Sequence, residues 1–210
     1  MGGVMCRRWA VAIPVVGLLI VLCYFFVDRP VARFVHDHPP FPEALVEWSA
    51  LLSDWPYIAA GLVVTGAVAW RFCQRAGRLQ TVLMALAASL ATSVVLKQLL
   101  KWVFGRTWPK TQVGGAPSWI GSSAYGFHPF HFGSGYASFP SGHAALVCSV
   151  LSVLWHTHPR WRWLWAVLGL VLCVALVGMN FHFVGDVLAG ALLGCITGSA
   201  MTALFRLDRT

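Results

Sequence analysis

The chain has 210 residues, of which 58% are hydrophobic and only 10% are charged, and its formal net charge is +8. Soluble domains are usually about 45–50% apolar and about 25% charged, so this composition excludes an ordinary soluble domain and indicates an integral membrane protein. The positive charge does not point to nucleic acid, because the arginines cluster between apolar runs, where they orient a chain in a bilayer. We therefore expect the membrane, and no nucleic acid, as a partner.

Six apolar runs are candidates for transmembrane helices, each of which needs about 20 mostly apolar residues. In chain order they lie roughly at 10–27, 54–70, 80–104, 142–156, 163–180 and 185–205. We predict an all-α fold, a six-transmembrane helix bundle with a long extracytoplasmic loop at 105–141 between spans three and four. Because the runs use most of the chain, we expect a single integral membrane domain over 1–210 with its core at about 45–205.

The first run begins after Arg7 and Arg8, as a signal peptide does, but no small-x-small cleavage pattern follows it. We interpret it as a retained span, with cleavage as the alternative. The segment 41–55 has apolar residues at helical spacing among acidic ones, and we predict a short interfacial helix there.

Glycine recurs every four residues in the last run, at Gly190, Gly194 and Gly198. Small residues at this spacing let two helices approach closely in a membrane. We expect this face to pack within the bundle, with dimerisation as the alternative; the oligomeric state stays open.

The distribution of cations predicts the orientation of the bundle. With six spans both termini lie on one side, which would hold nine lysine and arginine residues, whereas the opposite side would hold five. The nine are Arg7, Arg8, Arg71, Arg75, Arg78, Arg160, Arg162, Arg206 and Arg209, and the five are Arg29, Arg33, Lys101, Arg106 and Lys110. The positive-inside rule then places both termini in the cytoplasm. We expect the membrane to be the cytoplasmic (inner) membrane.

Residues that can carry chemistry fall into three segments, at 97–109, 139–145 and 180–186. The first supplies cations: Lys101 and Arg106 bracket the outer end of a span, and both could hold phosphate oxygens. The alternative is that they only snorkel to the headgroups, which is the interpretation we prefer for Lys97 and Lys110.

The second segment reads "FPSGHAA" and begins an apolar run. Ser141 is a good helix cap, and Gly142 allows close approach to the backbone. The N-terminus of a helix favours an anion, and His143 in the first turn could give a proton to a group bound there. The alternative is an ordinary capped helix with an interfacial histidine.

The third segment holds His182 and Asp186, which lie four residues apart. If the segment is helical, this spacing puts both side chains on one face. Ionisable residues at membrane depth indicate function by default, although a structural pair that fixes two helices is the alternative.

The residue types in the three segments fit a metal-independent phosphoryl transfer. A histidine paired with a carboxylate can act as a nucleophile, and a second histidine can act as a general acid. Cations and a helix N-terminus stabilise an oxygen-rich, charged transition state. We expect a phosphohistidine intermediate, no metal ion and no cofactor.

At these residues the chain resembles the type 2 phosphatidic acid phosphatase superfamily, whose motifs are Lys-x6-Arg-Pro, Pro-Ser-Gly-His and Ser-Arg-x5-His-x3-Asp. Pro140 to His143 match the second motif fully, and His182 and Asp186 match the third. The resemblance implies that His182 attacks phosphorus and Asp186 orients it. It also implies that His143 protonates the leaving oxygen, and that Lys101, Ser141 and Gly142 hold the phosphate.

The chain departs from the family pattern at two places. Trp108 stands where the first motif has arginine, and we expect Arg106 to substitute for it. Ala175 and Leu176 stand where the third motif has Ser-Arg, and we expect Asn180 to be a neutral replacement.

We therefore predict a membrane lipid phosphatase with its site on the extracytoplasmic (periplasmic) face. The substrate would be a lipid phosphate or diphosphate, such as undecaprenyl diphosphate, phosphatidate, phosphatidylglycerol phosphate or a lipid A phosphate. The alternatives are a lipid phosphotransferase that uses the same intermediate, and a non-catalytic transporter or lipid-binding protein with a degenerate site.

Overall fold

The structure is a computed structural model, and it describes residues 2–42, 44–46, 61, 66, 77–110, 115–131 and 133–207. The named elements in this part of the chain are all helical, which agrees with the predicted fold class. The predicted second span at 54–70 and most of the predicted interfacial helix at 41–55 lie outside the described residues.

The N-terminal helix is longer than predicted. Helix α1 (Gly2–Leu22) passes through a π-helical turn (Cys23–Val27) into helix α2 (Asp28–Asp37). The prediction ended this element at residue 27, where charged residues and Pro30 begin. Pro30 lacks the N–H that a regular helix would use, and the wider turn immediately before it lets the helix continue.

Five further α-helices are named in the described part of the chain. They are α3 (Arg78–Phe104), the short α4 (Trp119–Ser122), α5 (Gly142–Thr157), α6 (Arg162–Gly178) and α7 (Val184–Leu204). Two 3-10 turns lie between them, at Ser134–Tyr136 and Pro159–Trp161. By length and composition, Trp9–Asp37, Arg78–Phe104, Pro159–Gly178 and Val184–Leu204 can each cross a membrane, whereas Gly142–Thr157 is a shorter apolar helix.

Helices α5 and α7 form the closest-packed pair in the described bundle, and the glycine stripe of α7 lies in their contact. A Cβ at position 194 would meet the Ala145 carbonyl oxygen and would lie 2.7 Å from the Ser149 nitrogen. A Cβ at position 198 would lie 2.6 Å from the Ser152 Cβ. The expectation that this stripe packs within the bundle is confirmed.

Helix α3 ends at Gly105, which has φ +55 and donates its N–H to the Lys101 carbonyl at 2.9 Å. This left-handed conformation favours glycine, and a Cβ here would also collide with the His128 carbonyl. The chain then pairs with the loop that follows: His128 donates to the Gly105 carbonyl, and Ser138 to the Arg106 carbonyl. These bonds hold Arg106 and the loop at the end of the bundle where α5 begins.

Candidate active site

The three segments singled out in the sequence meet at one end of the bundle. The Ser141 N–H donates to the Asp186 carbonyl at 3.0 Å, which joins the start of α5 to the first turn of α7. The Lys101 Nζ donates to the Ala137 carbonyl at 2.6 Å, just before α5. The Trp108 ring lies 5.2 Å from the His182 ring, centroid to centroid. The structure therefore brings together residues that are up to 85 positions apart in the sequence (Lys101 and Asp186).

His182 and Asp186 face each other across the start of α7. His182 lies in the turn before the helix, and Asp186 in its first turn, so the segment is only partly helical. The Asp186 Oδ2 lies 3.7 Å from the His182 Nδ1, which is longer than a hydrogen bond. The same oxygen accepts hydrogen bonds from the Ser138 hydroxyl at 2.5 Å and the Phe183 N–H at 3.1 Å.

Burial keeps His182 neutral. The side chain is almost fully enclosed, and this burial lowers the pKa of His182 below its ordinary value. The Asp186 carboxylate acts in the opposite direction, whereas the positive charges of Lys101 and His143 lower the pKa of His182 further. A neutral imidazole is the form that can act as a nucleophile.

Arg106 bridges two carboxylates inside the protein. Its Nη1 lies 2.5 Å from the Asp186 Oδ1, and its Nη2 lies 2.7 Å from the Asp28 Oδ2 and 3.0 Å from the Tyr125 hydroxyl. Only 1% of the side chain is exposed. Burial by itself lowers the pKa of Arg106, but the charges of Asp186 and Asp28 outweigh it and raise the pKa, so Arg106 stays cationic.

This arrangement bears on the expectation that Arg106 substitutes for the arginine of the first motif, which stays a prediction. The terminal N–H groups that could bind phosphate donate hydrogen bonds to Asp28 and Asp186. Aromatic rings with centroids 4.4–5.3 Å from the guanidinium carbon surround it: Tyr24, Tyr125, Phe127 and Phe183. The guanidinium is thus enclosed by protein groups.

The Asn180 side chain also has a hydrogen-bond partner within the protein. Its Nδ2 donates to the Ala32 carbonyl of α2 at 3.0 Å, and its backbone has φ +54, a left-handed conformation that asparagine tolerates. This bond connects the α6–α7 turn to α2, and the expected contact of Asn180 with phosphate stays a prediction. Leu176, at the position of the missing arginine, packs in an apolar cluster with Ala144 and Val187.

The start of α5 has the geometry expected of a helix cap. The Ser141 hydroxyl accepts from the Ala144 N–H at 3.4 Å, and both Ser141 and Gly142 are buried. His143 follows in the first turn and is half-buried. Because the first N–H groups of an α-helix have no partner within the helix, this end can receive an anion.

Lys101 faces the same region from α3. Its ammonium lies 5.6 Å from the centre of the Trp108 ring, and its charge acts on His182. One turn earlier, Lys97 is enclosed by the bundle, with 6% exposure, so the expectation that it snorkels to the headgroups is wrong.

Sequence reasoning missed Asp28, Tyr125 and Ser138. A signal for Asp28 was present, because an acidic residue directly after the apolar run "VLCYFFV" is costly unless it has a partner. Tyr125 and Ser138 lie in a polar loop, where nothing in a single sequence distinguishes them. Among the described residues, no three His, Cys, Asp or Glu side chains form a group suited to a metal ion.

Comparisons with known proteins agree with the family resemblance of the sequence. The family model of the PAP2 superfamily matches residues 82–209, more than half of the chain. The Bacitracin transport permease protein BcrC of Bacillus licheniformis is 37% identical over 60 residues, which cover 29% of this chain and 30% of that protein. The matched part thus spans less than a third of the relative. No solved structure matches the chain.

Proposed function

The chain belongs to the PAP2 superfamily, and on that premise we propose that it is an integral membrane lipid phosphatase. The resemblance inferred from the motifs is thereby confirmed, and the family supports a phosphatase-type function on lipid phosphates. One observation carries the proposal for this chain. A buried histidine, His182, faces the carboxylate of Asp186 at the end of the bundle where α5 presents its N-terminus.

The proposed reaction has two steps. The His182 Nε2 attacks phosphorus, a P–N bond forms, and the P–O bond to the lipid or its lower phosphate breaks as His143 gives a proton to the leaving oxygen. A water molecule, which loses a proton to His143, then attacks the phosphohistidine and releases inorganic phosphate. Each histidine returns to its starting state, and the transferred phosphoryl group needs only positioning and charge stabilisation.

The phosphate contacts in this proposal come from Lys101, Ser141 and Gly142. Lys101 supplies a cation, and the start of α5 supplies N–H groups and the positive end of a helix dipole. Arg106 and Asn180 act indirectly, because their donors are used to fix Asp186 and the α6–α7 turn. The enzyme needs no metal ion in this scheme.

We propose the predicted orientation as well: six spans, both termini in the cytoplasm and the site on the periplasmic face of the inner membrane. The excess of cations on the side of the termini supports it. Single cysteines placed at residues 29 and 160 in a cysteine-free background test it. A membrane-impermeant thiol reagent should label residue 29 in intact cells and residue 160 only after permeabilisation; the reverse pattern contradicts the orientation.

Two alternatives remain to be separated. A lipid phosphotransferase would form the same intermediate but pass the phosphoryl group to an acceptor other than water. A transporter or lipid-binding protein would bind without turnover, and the similarity to a protein named as a transport permease supports this alternative. Product analysis with and without a candidate lipid acceptor distinguishes hydrolysis from transfer.

The decisive experiment is a phosphate-release assay on a panel of lipid phosphates and diphosphates in the presence of a chelator. Purified wild-type protein should release phosphate, and His182→Ala should abolish release and the trapped phosphoenzyme. His143→Ala should slow release by about 10²–10⁴-fold, the usual range for a general acid. The matched control is His158→Ala, because His158 is an exposed histidine at the opposite end of α5. Full activity in His182→Ala would refute the mechanism.

A further inference from the structure

We propose that Asp28 of the N-terminal helix is a positioning residue for the reaction, because it offsets the charge of Arg106 and leaves Asp186 with a net negative charge beside His182. This inference rests on the proposed function and deepens it. Asp28 lies outside residues 82–209, the part of the chain that matches the family model.

Asp28 contacts both parts of the structure that hold Asp186. Its Oδ2 accepts from the Arg106 Nη2 at 2.7 Å, and its Oδ1 accepts from the Gly185 N–H at 2.9 Å. The side chain is 1% exposed. A Cβ at position 185 would lie 3.0 Å from the Asp28 Oδ2, so the glycine leaves room for this close approach. Asp28 is thus joined to the residue that directly precedes Asp186 in α7.

Charge balance explains why a second carboxylate is useful there. Arg106 and Asp186 alone would form a neutral pair, whereas Asp28, Arg106 and Asp186 together carry one negative charge. When the His182 Nε2 bonds to phosphorus, the imidazole ring becomes cationic, and a negative charge nearby stabilises it. The other charged or titratable groups that act on His182, Lys101 and His143, are repulsive towards that cation.

The local shape of the N-terminal helix places Asp28 at this point. The residue follows the π-helical turn directly, and such turns are rare and occur frequently at functional sites. The same turn offers the Tyr24 carbonyl to the Tyr125 hydroxyl at 2.6 Å, and that hydroxyl accepts from Arg106. The N-terminal helix therefore contacts Arg106 directly through Asp28, and it also holds Tyr125, which accepts a hydrogen bond from Arg106.

The test compares Asp28→Asn, the double variant Asp28→Asn/Arg106→Met and the control Asp37→Asn, an exposed acid on the same helix. We expect Asp28→Asn to lower kcat at least tenfold with KM changed less than threefold, and Asp37→Asn to match wild type. The double variant restores a single negative charge on Asp186 and should exceed Asp28→Asn at least threefold in kcat. A purely structural role predicts that the second substitution causes further loss, and that result would overturn the proposal.

A second readout needs no substrate and separates this inference from the proposed function. The titration of His182, followed by NMR of ring-labelled histidine in detergent, should have a lower midpoint in Asp28→Asn than in wild type. In the double variant the midpoint should be at or above that of wild type. Equal midpoints in all three proteins would overturn the role of Asp28 even if wild type proved inactive on every lipid.

Loss of folding in Asp28→Asn would not remove the test, because the double variant has no buried arginine and its Asp186 carboxylate still accepts hydrogen bonds from Ser138 and Phe183. The double variant then carries the comparison with wild type. We expect its kcat to stay within tenfold of wild type. A folded double variant without activity and with a lowered His182 midpoint would overturn the proposal.

Discussion

Arg106 and Asp186, 80 positions apart in the sequence, form a buried ion pair with 2.5 Å between Nη1 and Oδ1. Removing one member of a buried pair leaves the other charge without compensation, which typically costs about 3–5 kcal/mol. We therefore expect Arg106→Ala to lower the free energy of unfolding by about this amount, measured by denaturant or thermal unfolding in detergent.

The matched control is Arg29→Ala, because Arg29 is exposed and lies 5.3 Å from the Tyr125 ring centre without an ion pair to a described residue. Its loss should cost about 1 kcal/mol or less. If Arg106→Ala is as stable as wild type and only its KM is increased, the result would indicate instead that Arg106 contacts the phosphate.

The burial of His182 predicts where activity is lost in acid. Its pKa is lowered from the ordinary value of about 6.5, so the neutral nucleophile is present above the lowered pKa and is lost as pH falls through it. Protonation of His182 should therefore not lower the rate of phosphoenzyme formation in single-turnover experiments until pH falls below about 6.5. A decline centred above pH 7 attributable to His182 would contradict this prediction.

Trp108 offers a way to restore the first motif. Its ring lies beside His182, and its indole N–H donates to the Ser134 carbonyl at 2.7 Å. Trp108→Arg would add a cation where the family has one, and a charge-assisted hydrogen bond contributes about 1.5–3 kcal/mol. Allowing for repulsion from Lys101, we expect vanadate to inhibit about tenfold more tightly. Trp108→Phe is the control, and equal inhibition of both variants would place the bound oxyanion away from position 108.

The contact between α5 and α7 predicts a stability effect. In Gly194→Ala the new methyl group would meet the Ala145 carbonyl and the Ser149 nitrogen of the neighbouring helix. Such overpacking costs about 1–3 kcal/mol, and we expect a lower unfolding temperature in detergent. Gly17→Ala is the matched control, because a Cβ there meets nothing within 4 Å. An unchanged unfolding temperature in Gly194→Ala would mean that the two helices separate at little cost.

Local features of the site were predictable from the sequence. Ser141 caps α5 as expected, because capping depends on residues three positions apart, and the glycine stripe packs on a neighbouring helix. The bounds of α3, α5, α6 and α7 lie within a few residues of the predicted spans. The family was recognisable because its motifs consist of short, ordered spacings.

Long-range ion pairs were not predictable in the same way. The partners of Arg106 come from Asp28, 78 positions earlier, and from Asp186, 80 positions later. Hydropathy and spacing describe which segments cross a membrane, but they do not specify which buried acid meets which buried base. The π-helical turn directly before Asp28 was also not predictable, because "CYFFV" fits an ordinary apolar helix equally well.

The hydrogen bond from Ser141 to Asp186 has a consequence for how the site is assembled. The glycine stripe interlocks the same two helices further along, so α5 and α7 are joined both at their starts and along their length. In the proposed reaction, the N-terminus of α5 and the carboxylate of Asp186 are therefore in place before a substrate binds, and no movement of one helix past the other is needed to bring them together.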